Sequence, residues 1–321
     1  MLNRRHIRIK VLQALYAAIQ SESLDVFEGQ RQLVQKLDKI YDLTIYQMSV
    51  LLEIHSFAKQ RLEDNKKKHY PTEEDKNPNT RFIDNAFLLQ LGKNKDLLVK
   101  ADRLAINWVN ETELIRNIYD AIINSDIYKK YMQEDEVQYK NDKDLVISVF
   151  QNIILPNESL HSLFAEKNLH WADDYNLASE LVFLIISAFK ISWEENHLLP
   201  PLYKDESKTS GRSQDKEFAK DLFKLTLENN EKYDEFIIPN IKNWEIDRLA
   251  TIDKILIKMA LSEVLEMPTI PIKVSMNEYI ELSKYFSTQK SKVFINGLLD
   301  KIIAQLKEAG QIKKQGRGLV N

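Results

Sequence analysis

Only 7 glycines and 8 prolines interrupt these 321 residues, and that scarcity restricts the fold more than any other feature. All-β chains need a turn roughly every 8–12 residues, and turns draw heavily on Gly and Pro. A chain so poor in both is confined to long helices with few connections. The apolar pattern agrees, because hydrophobic residues recur at helical spacing through most of the sequence. No stretch shows the period-two alternation of a half-buried strand. The expected class is all-α.

Periodicity and breakers place the helices. One is expected over residues 5–20, two between 25 and 65 with a break between about 39 and 44, and one over 81–91 capped by Gly92. Further helices are read to about Trp108, over 111–132, 142–155, 158–167 and 173–195. Residues 198–214 (LLPPLYKDESKTSGRSQ) read as a linker, with Pro-Pro, Gly and a polar run. Beyond it, 215–230, a segment over 233–241 broken at Pro239, and 249–265 are expected to be helical. Pro268 and Pro271 bracket a turn, with Thr269 a candidate cap for the next helix.

Several chemistries are excluded or poorly served. With no Cys, the chain has no disulfide, thiolate metal site or cysteine nucleophile. The six histidines show no HExxH or comparable ligand spacing, so no metal is expected. The scattered glycines form no phosphate loop, and no nucleophile elbow is present. Glu278 and Glu281 form a carboxylate pair, but Lys284 stands three residues after Glu281, where an ordinary ion pair is the simpler reading. No catalytic residue and no cofactor is expected. The longest apolar run, Leu181–Phe189, is far short of the ~20 residues that span a bilayer. No signal peptide is read, and the expected location is cytoplasmic, without a membrane partner.

Charge is distributed unevenly. Residues 1–10 carry four cations and no acid, and residues 287–318 carry seven cations and two acids, so a chain at −3 is left with −12 elsewhere. Basic ends on an acidic body fit a local phosphate-binding surface, although basic ends are also simple solubilising tails. Arg4 and Arg5 open the first helix, where cations oppose the macrodipole, and an external anion is one reason to put them there; Arg8 is the i, i+4 neighbour of Arg4. Arg5 and Tyr16 share a helix face. Residues 277–303 (NEYIELSKYFSTQKSKVFINGLLDKII) read as two amphipathic helices joined by a basic turn. Ile295, Leu298, Leu299, Ile302 and Leu306 form the apolar stripe, while Lys290, Phe294, Gly297 and Lys301 line a second face. That face suits a ribose-phosphate chain with a stacked base; a solvated lysine face with Phe294 turned into the core is the plainer alternative. Gly297 inside a helix costs about 1 kcal/mol relative to Ala, so a close neighbour is expected there.

At this point a family resemblance enters. RRHIRIKVLQALYA (Arg4–Ala17), ATIDKILIKMALSEVL, PIKVSMNEYIELSKYFS and KVFINGLLDKI are similar to the motifs of the NusB family of bacterial transcription antitermination factors, in that order along the chain. The resemblance implies an all-α, NusB-like helical bundle without enzymatic activity. It also implies binding of boxA-type RNA of ribosomal RNA leaders, partnership with the ribosomal protein NusE, and attachment to the RNA polymerase antitermination complex. RNA contacts would fall on Arg4, Arg5, Arg8, Tyr16, Lys290, Lys292 and Phe294, and the protein partner on Asp253 and Lys258. The short family form does not account for residues 21–214. The expected organisation is residues 1–20 as the first helix of the core, 21–200 as an inserted helical region, 201–214 as linker, 215–307 as the C-terminal core, and 308–321 as a basic tail. The alternative is a helical protein–protein scaffold without RNA binding. Fusion to an RNA methyltransferase is excluded by the missing Cys and Gly-rich loop; homodimerisation stays open.

Overall fold

A computed structural model describes residues 1–21, 25–134, 136, 138–203, 213–241 and 249–319. Among these the architecture is all-α. The only extended pairing among them is an isolated parallel bridge between Leu2 and Tyr203. The chain divides into two compact units, one of Met1 with Asp38–Leu202 and one of Leu2–Leu37 with Tyr203–Asn321. The first part of the second helix therefore groups with the first helix and not with the helices read as an insertion. Most of the expected linker, residues 204–212, lies outside the described residues.

The helices are α1 (Arg4–Gln20), α2 (Val26–Lys66), α3 (Glu73–Lys76), α4 (Ala86–Lys93), α5 (Lys95–Arg103), α6 (Thr112–Asn124), α7 (Asp126–Gln133), α8 (Tyr139–Val149), α9 (Glu158–Lys167) and α10 (His170–Ala188). They continue with α11 (Gln214–Glu228), α12 (Asn230–Ile237), α13 (Thr251–Glu266), α14 (Ile272–Phe286) and α15 (Gln289–Glu308). The break expected between residues 39 and 44 does not occur. Nothing there stops a helix: Leu37, Ile40, Leu43 and Met48 keep the apolar spacing and are all buried, and Lys39 pairs with Asp42 one turn on.

Elsewhere caps overrule periodicity. Asn85 accepts from the Leu88 amide and starts α4 later than expected, so Gly92 falls inside the helix and does not cap it. Ser125 accepts from the Tyr128 amide and splits the single helix expected over 111–132. Thr269 does not cap α14, whose N-cap position is Pro271, with no side-chain cap hydrogen bond.

In the unit built on residues 38–202, Phe164 is fully buried at the centre of an aromatic cluster, with its centroid 6.0–6.3 Å from those of Tyr46, Trp108, Trp171 and Tyr175. The polar edges of the cluster are satisfied: Trp108 Nε1 donates to Ser49 Oγ at 3.0 Å and Trp171 Nε1 to the Lys39 carbonyl at 3.0 Å. α8 runs on through a π turn over Phe150–Ile154, closed by the Leu155 amide donating to the Phe150 carbonyl.

In the second unit α13 is the central helix. It packs against α1, α11, α12, α14 and α15, and Ile255–Val264 is buried without a break, as a helix enclosed on all sides must be. The stripe read on α15 is buried as expected, with Ile295, Leu298, Leu299, Ile302 and Leu306 inward. α1 turns Ile7, Val11, Leu12 and Leu15 into the same core. Gly29 on α2 admits the Phe223 ring, since a Cβ there would fall 2.5 Å from Cζ. Past α15 the chain returns to the end of α13. Lys314 Nζ donates to the Glu263 and Met267 carbonyls at 3.3 and 3.0 Å, and the Gln315 amide donates to Pro268 O at 2.9 Å. A lysine satisfying the last carbonyls of a helix is a recurrent C-terminal device, and burial lowers this amine to about 8.

Candidate nucleic-acid interface

α1 is started by Asn3, whose side chain accepts from the His6 amide at 3.0 Å. Its first turn contains no acid, yet each arginine finds a carboxylate on another helix of the same unit. Arg4 Nε donates to Asp215 Oδ1 at 2.9 Å and its guanidinium lies over the Phe218 ring. Arg5 grips Glu278 with two hydrogen bonds of 2.9 and 2.8 Å, which hold that carboxyl below its usual range. Arg8 grips Glu263 in the same forked manner at 2.8 and 2.6 Å.

The three pairs differ in exposure, and that decides what each can do. The Arg4 and Arg5 side chains are 39% and 44% exposed, whereas Arg8 and Glu263 are 3% and 0% exposed. Glu263 also accepts from Ser275 Oγ at 2.7 Å and Tyr279 Oη at 3.0 Å, so both its oxygens are occupied. Burial alone would oppose the charge on Arg8, but the hydrogen bonds and attraction of Glu263 outweigh it and raise its pKa. Burial and the same carboxylate push the Tyr279 phenol well above its ordinary value, keeping it a neutral donor. Arg8 is thus a core residue, and its expected place among the RNA contacts is corrected. The family resemblance had put it there, and sequence shows the cation but not its buried partner.

The turn between α14 and α15 supplies the other half of the surface. Glu278, Glu281 and Tyr285 lie along one stripe of α14 at i, i+3, i+7. Glu281 forms an ion pair with Lys284, and its carboxyl is held low by that lysine first, then by Arg5 and Lys292. Arg5 from α1 and Lys292 from α15 thus both act electrostatically on this one acidic residue. Thr288 caps α15 by accepting from the Ser291 amide at 3.1 Å, and no acid occupies the first turn. Lys290 is exposed, Lys292 is half-buried and Phe294 is partly buried. Tyr16 is 41% exposed but eleven residues along α1 from Arg5, about 16 Å at 1.5 Å per residue. An open groove of about 1010 Å³ adjoins the arginines, lined by Arg4, Arg5, Thr269, Pro271, Val274 and Glu278.

Three expectations change here. A Cβ at Gly297 would meet nothing within 4 Å, so no packing neighbour explains that glycine. Gly297→Ala is accordingly expected to stabilise the protein by about 0.5–1 kcal/mol, read as a higher midpoint in urea unfolding; an unchanged or lower midpoint refutes it. Asp253 and Lys258 are buried rather than presented to a partner. Lys258 Nζ is held by Asn230 Oδ1 at 2.6 Å and Asp234 Oδ2 at 2.7 Å, while Asp253 Oδ1 is enclosed with no hydrogen-bond partner among the described residues. Conversely, Tyr285 is 75% exposed at the rim of the surface, and sequence reading passed over it. Its spacing from Glu278 and Glu281, on the polar stripe, was the available signal.

Among the described residues no helix is long and apolar enough to cross a membrane, and no group of three or more His, Cys, Asp or Glu could hold a metal ion. The family described as "NusB family" matches residues 177–304. That stretch begins within α10 and does not include α1. "Transcription antitermination protein NusB" of Salinibacter ruber is 44% identical over 105 residues, 33% of this chain and 66% of that protein. The protein of the same name from Chloroherpeton thalassium is 41% identical over 106 residues, 33% of this chain and 50% of its own length. That from Natranaerobius thermophilus is 45% identical over 84 residues, 26% and 60% respectively. The chain thus spans between half and just under two thirds of these relatives, and no solved structure matches it. The all-helical unit centred on α13 thus carries most of the run, residues 177–304, that is similar to the NusB family.

Proposed function

We propose that this chain is a non-enzymatic RNA-binding antitermination factor. It binds boxA-type RNA of ribosomal RNA leaders together with NusE and links that RNA to RNA polymerase. The observation that carries the reading is the set of solvent-reachable cations on one helical unit, Arg4 and Arg5 of α1 and Lys290 in the acid-free first turn of α15, on an otherwise acidic chain. The names of the relatives support antitermination. The RNA surface is Arg4, Arg5, Lys290 and Lys292, with Tyr16 and Phe294 at its margins. In the same reading the stretch between the first helix and residue 215 is an insertion, of which residues 38–202 form a unit of their own while the start of α2 groups with the core.

Phosphate contacts make affinity fall with salt, with a log–log slope of about −0.7 per contact on a single strand. Arg5→Ala and Lys290→Ala are each expected to weaken binding of a boxA-type RNA to the full chain with NusE and to make that slope shallower by about one unit. Fluorescence titrations at several salt concentrations read both quantities. A flat salt dependence with unchanged affinity in both variants leaves the scaffold reading, which the internal pairing of Arg4 and Arg5 favours.

A further inference from the structure

We propose that Tyr285 is the base-stacking platform of this surface, the position at which one base of a single-stranded RNA lies on a protein ring. The proposal rests on the RNA-binding reading above. Tyr285 sits in the last turn of α14 with 75% of its surface exposed, whereas Phe294 is partly buried. Stacking needs an open ring face with cations close enough to hold the flanking phosphates. The Tyr285 ring is open, and it ends the stripe on which Glu278 holds Arg5 and Glu281 pairs with Lys284, the residue before Tyr285. Lys290 stands exposed in the first turn of α15 and forms no ion pair among the described residues. Along this stripe and the start of α15 stand four cations, Arg5, Lys284, Lys290 and Lys292, against two carboxylates, Glu278 and Glu281, already engaged with Arg5 and Lys284.

An exposed tyrosine also suits a protein interface. The excess of cations on this stripe and at the start of α15 favours a polyanion whose bases supply the apolar contact.

The test uses the full chain with NusE and a short single-stranded boxA-type RNA carrying 2-aminopurine at successive positions. Tyr285→Ala is expected to lower RNA affinity by about 5–150-fold, the range for loss of one stacked base. Tyr285→Phe should bind like the parent, and Tyr285→Leu should behave like Tyr285→Ala, because leucine keeps apolar area but has no π face. One 2-aminopurine position should be quenched by the parent and by Tyr285→Phe, and by neither of the other two. Full binding by Tyr285→Leu, or loss of NusE co-purification in Tyr285→Ala, makes the ring an apolar protein contact and overturns stacking. Unchanged affinity in Tyr285→Ala, while Arg5→Ala and Lys290→Ala weaken binding, overturns stacking but keeps the RNA surface. Salt-independent binding, or none, by the parent chain overturns both.

Discussion

Arg8→Ala is expected to destabilise the unit centred on α13 by about 3–5 kcal/mol, because it strips the partner from a buried carboxylate. Glu263 is wholly enclosed and would be left with only the hydroxyls of Ser275 and Tyr279 as donors. Denaturant unfolding of the full chain, followed by circular dichroism, reads the effect; a loss below about 1 kcal/mol would mean the pair is solvated and the network is not as described. A double substitution separates the penalty of an orphaned charge from the worth of the pair. Replacing buried ion pairs by apolar residues is often neutral. Arg8→Met with Glu263→Leu should therefore recover much of the loss. It should not recover all of it, because Tyr279 Oη and Ser275 Oγ lose their acceptor, and an unpaired buried hydroxyl costs about 1–3 kcal/mol. The same experiment separates the roles of Arg5 and Arg8. Arg5, 44% exposed, should affect RNA affinity with little change in stability, and Arg8 should do the reverse.

The second large effect is expected in the other unit. Phe164→Ala should cost about 3–5 kcal/mol, the range for emptying a fully buried aromatic site. Four neighbouring rings, those of Tyr46, Trp108, Trp171 and Tyr175, lose their shared contact. Two of them are held back from collapsing into the space, because Trp108 and Trp171 are tethered through Nε1 to Ser49 Oγ and the Lys39 carbonyl. Tryptophan fluorescence during unfolding gives the readout, since two of the four tryptophans line the site. Phe164→Leu, which keeps most of the volume, should cost much less. Equal losses for the two variants would show that the site relaxes freely.

What was legible in the sequence was local. α1 and α9 were placed almost to the residue, and the stripe of α15 was found from its spacing, because periodicity and burial on one face are properties of a short window. Where a single cap or the lack of a breaker decides, the reading slipped: α2 runs unbroken, and Asn85 and Ser125 moved two helix starts. The family motifs also survive in a window, and so the family resemblance could be read from the chain. The surface could be read only in part. Basic residues at the start of α1 and α15 were visible, but their separate fates were not. Arg4, Arg5 and Arg8 take partners 211, 273 and 255 residues away, and no local pattern encodes which of three neighbouring cations meets a carboxylate in the core and which meets one at the rim. Sequence by itself settled the all-helical class, the main apolar faces and the resemblance to the NusB family. Tertiary packing decided that Arg8, Asp253 and Lys258 are interior, that Gly297 faces open space, and that Tyr285 is the exposed ring. Exposure is a property of the assembled neighbours of a residue, and those neighbours come together only when α1, α13, α14 and α15 pack.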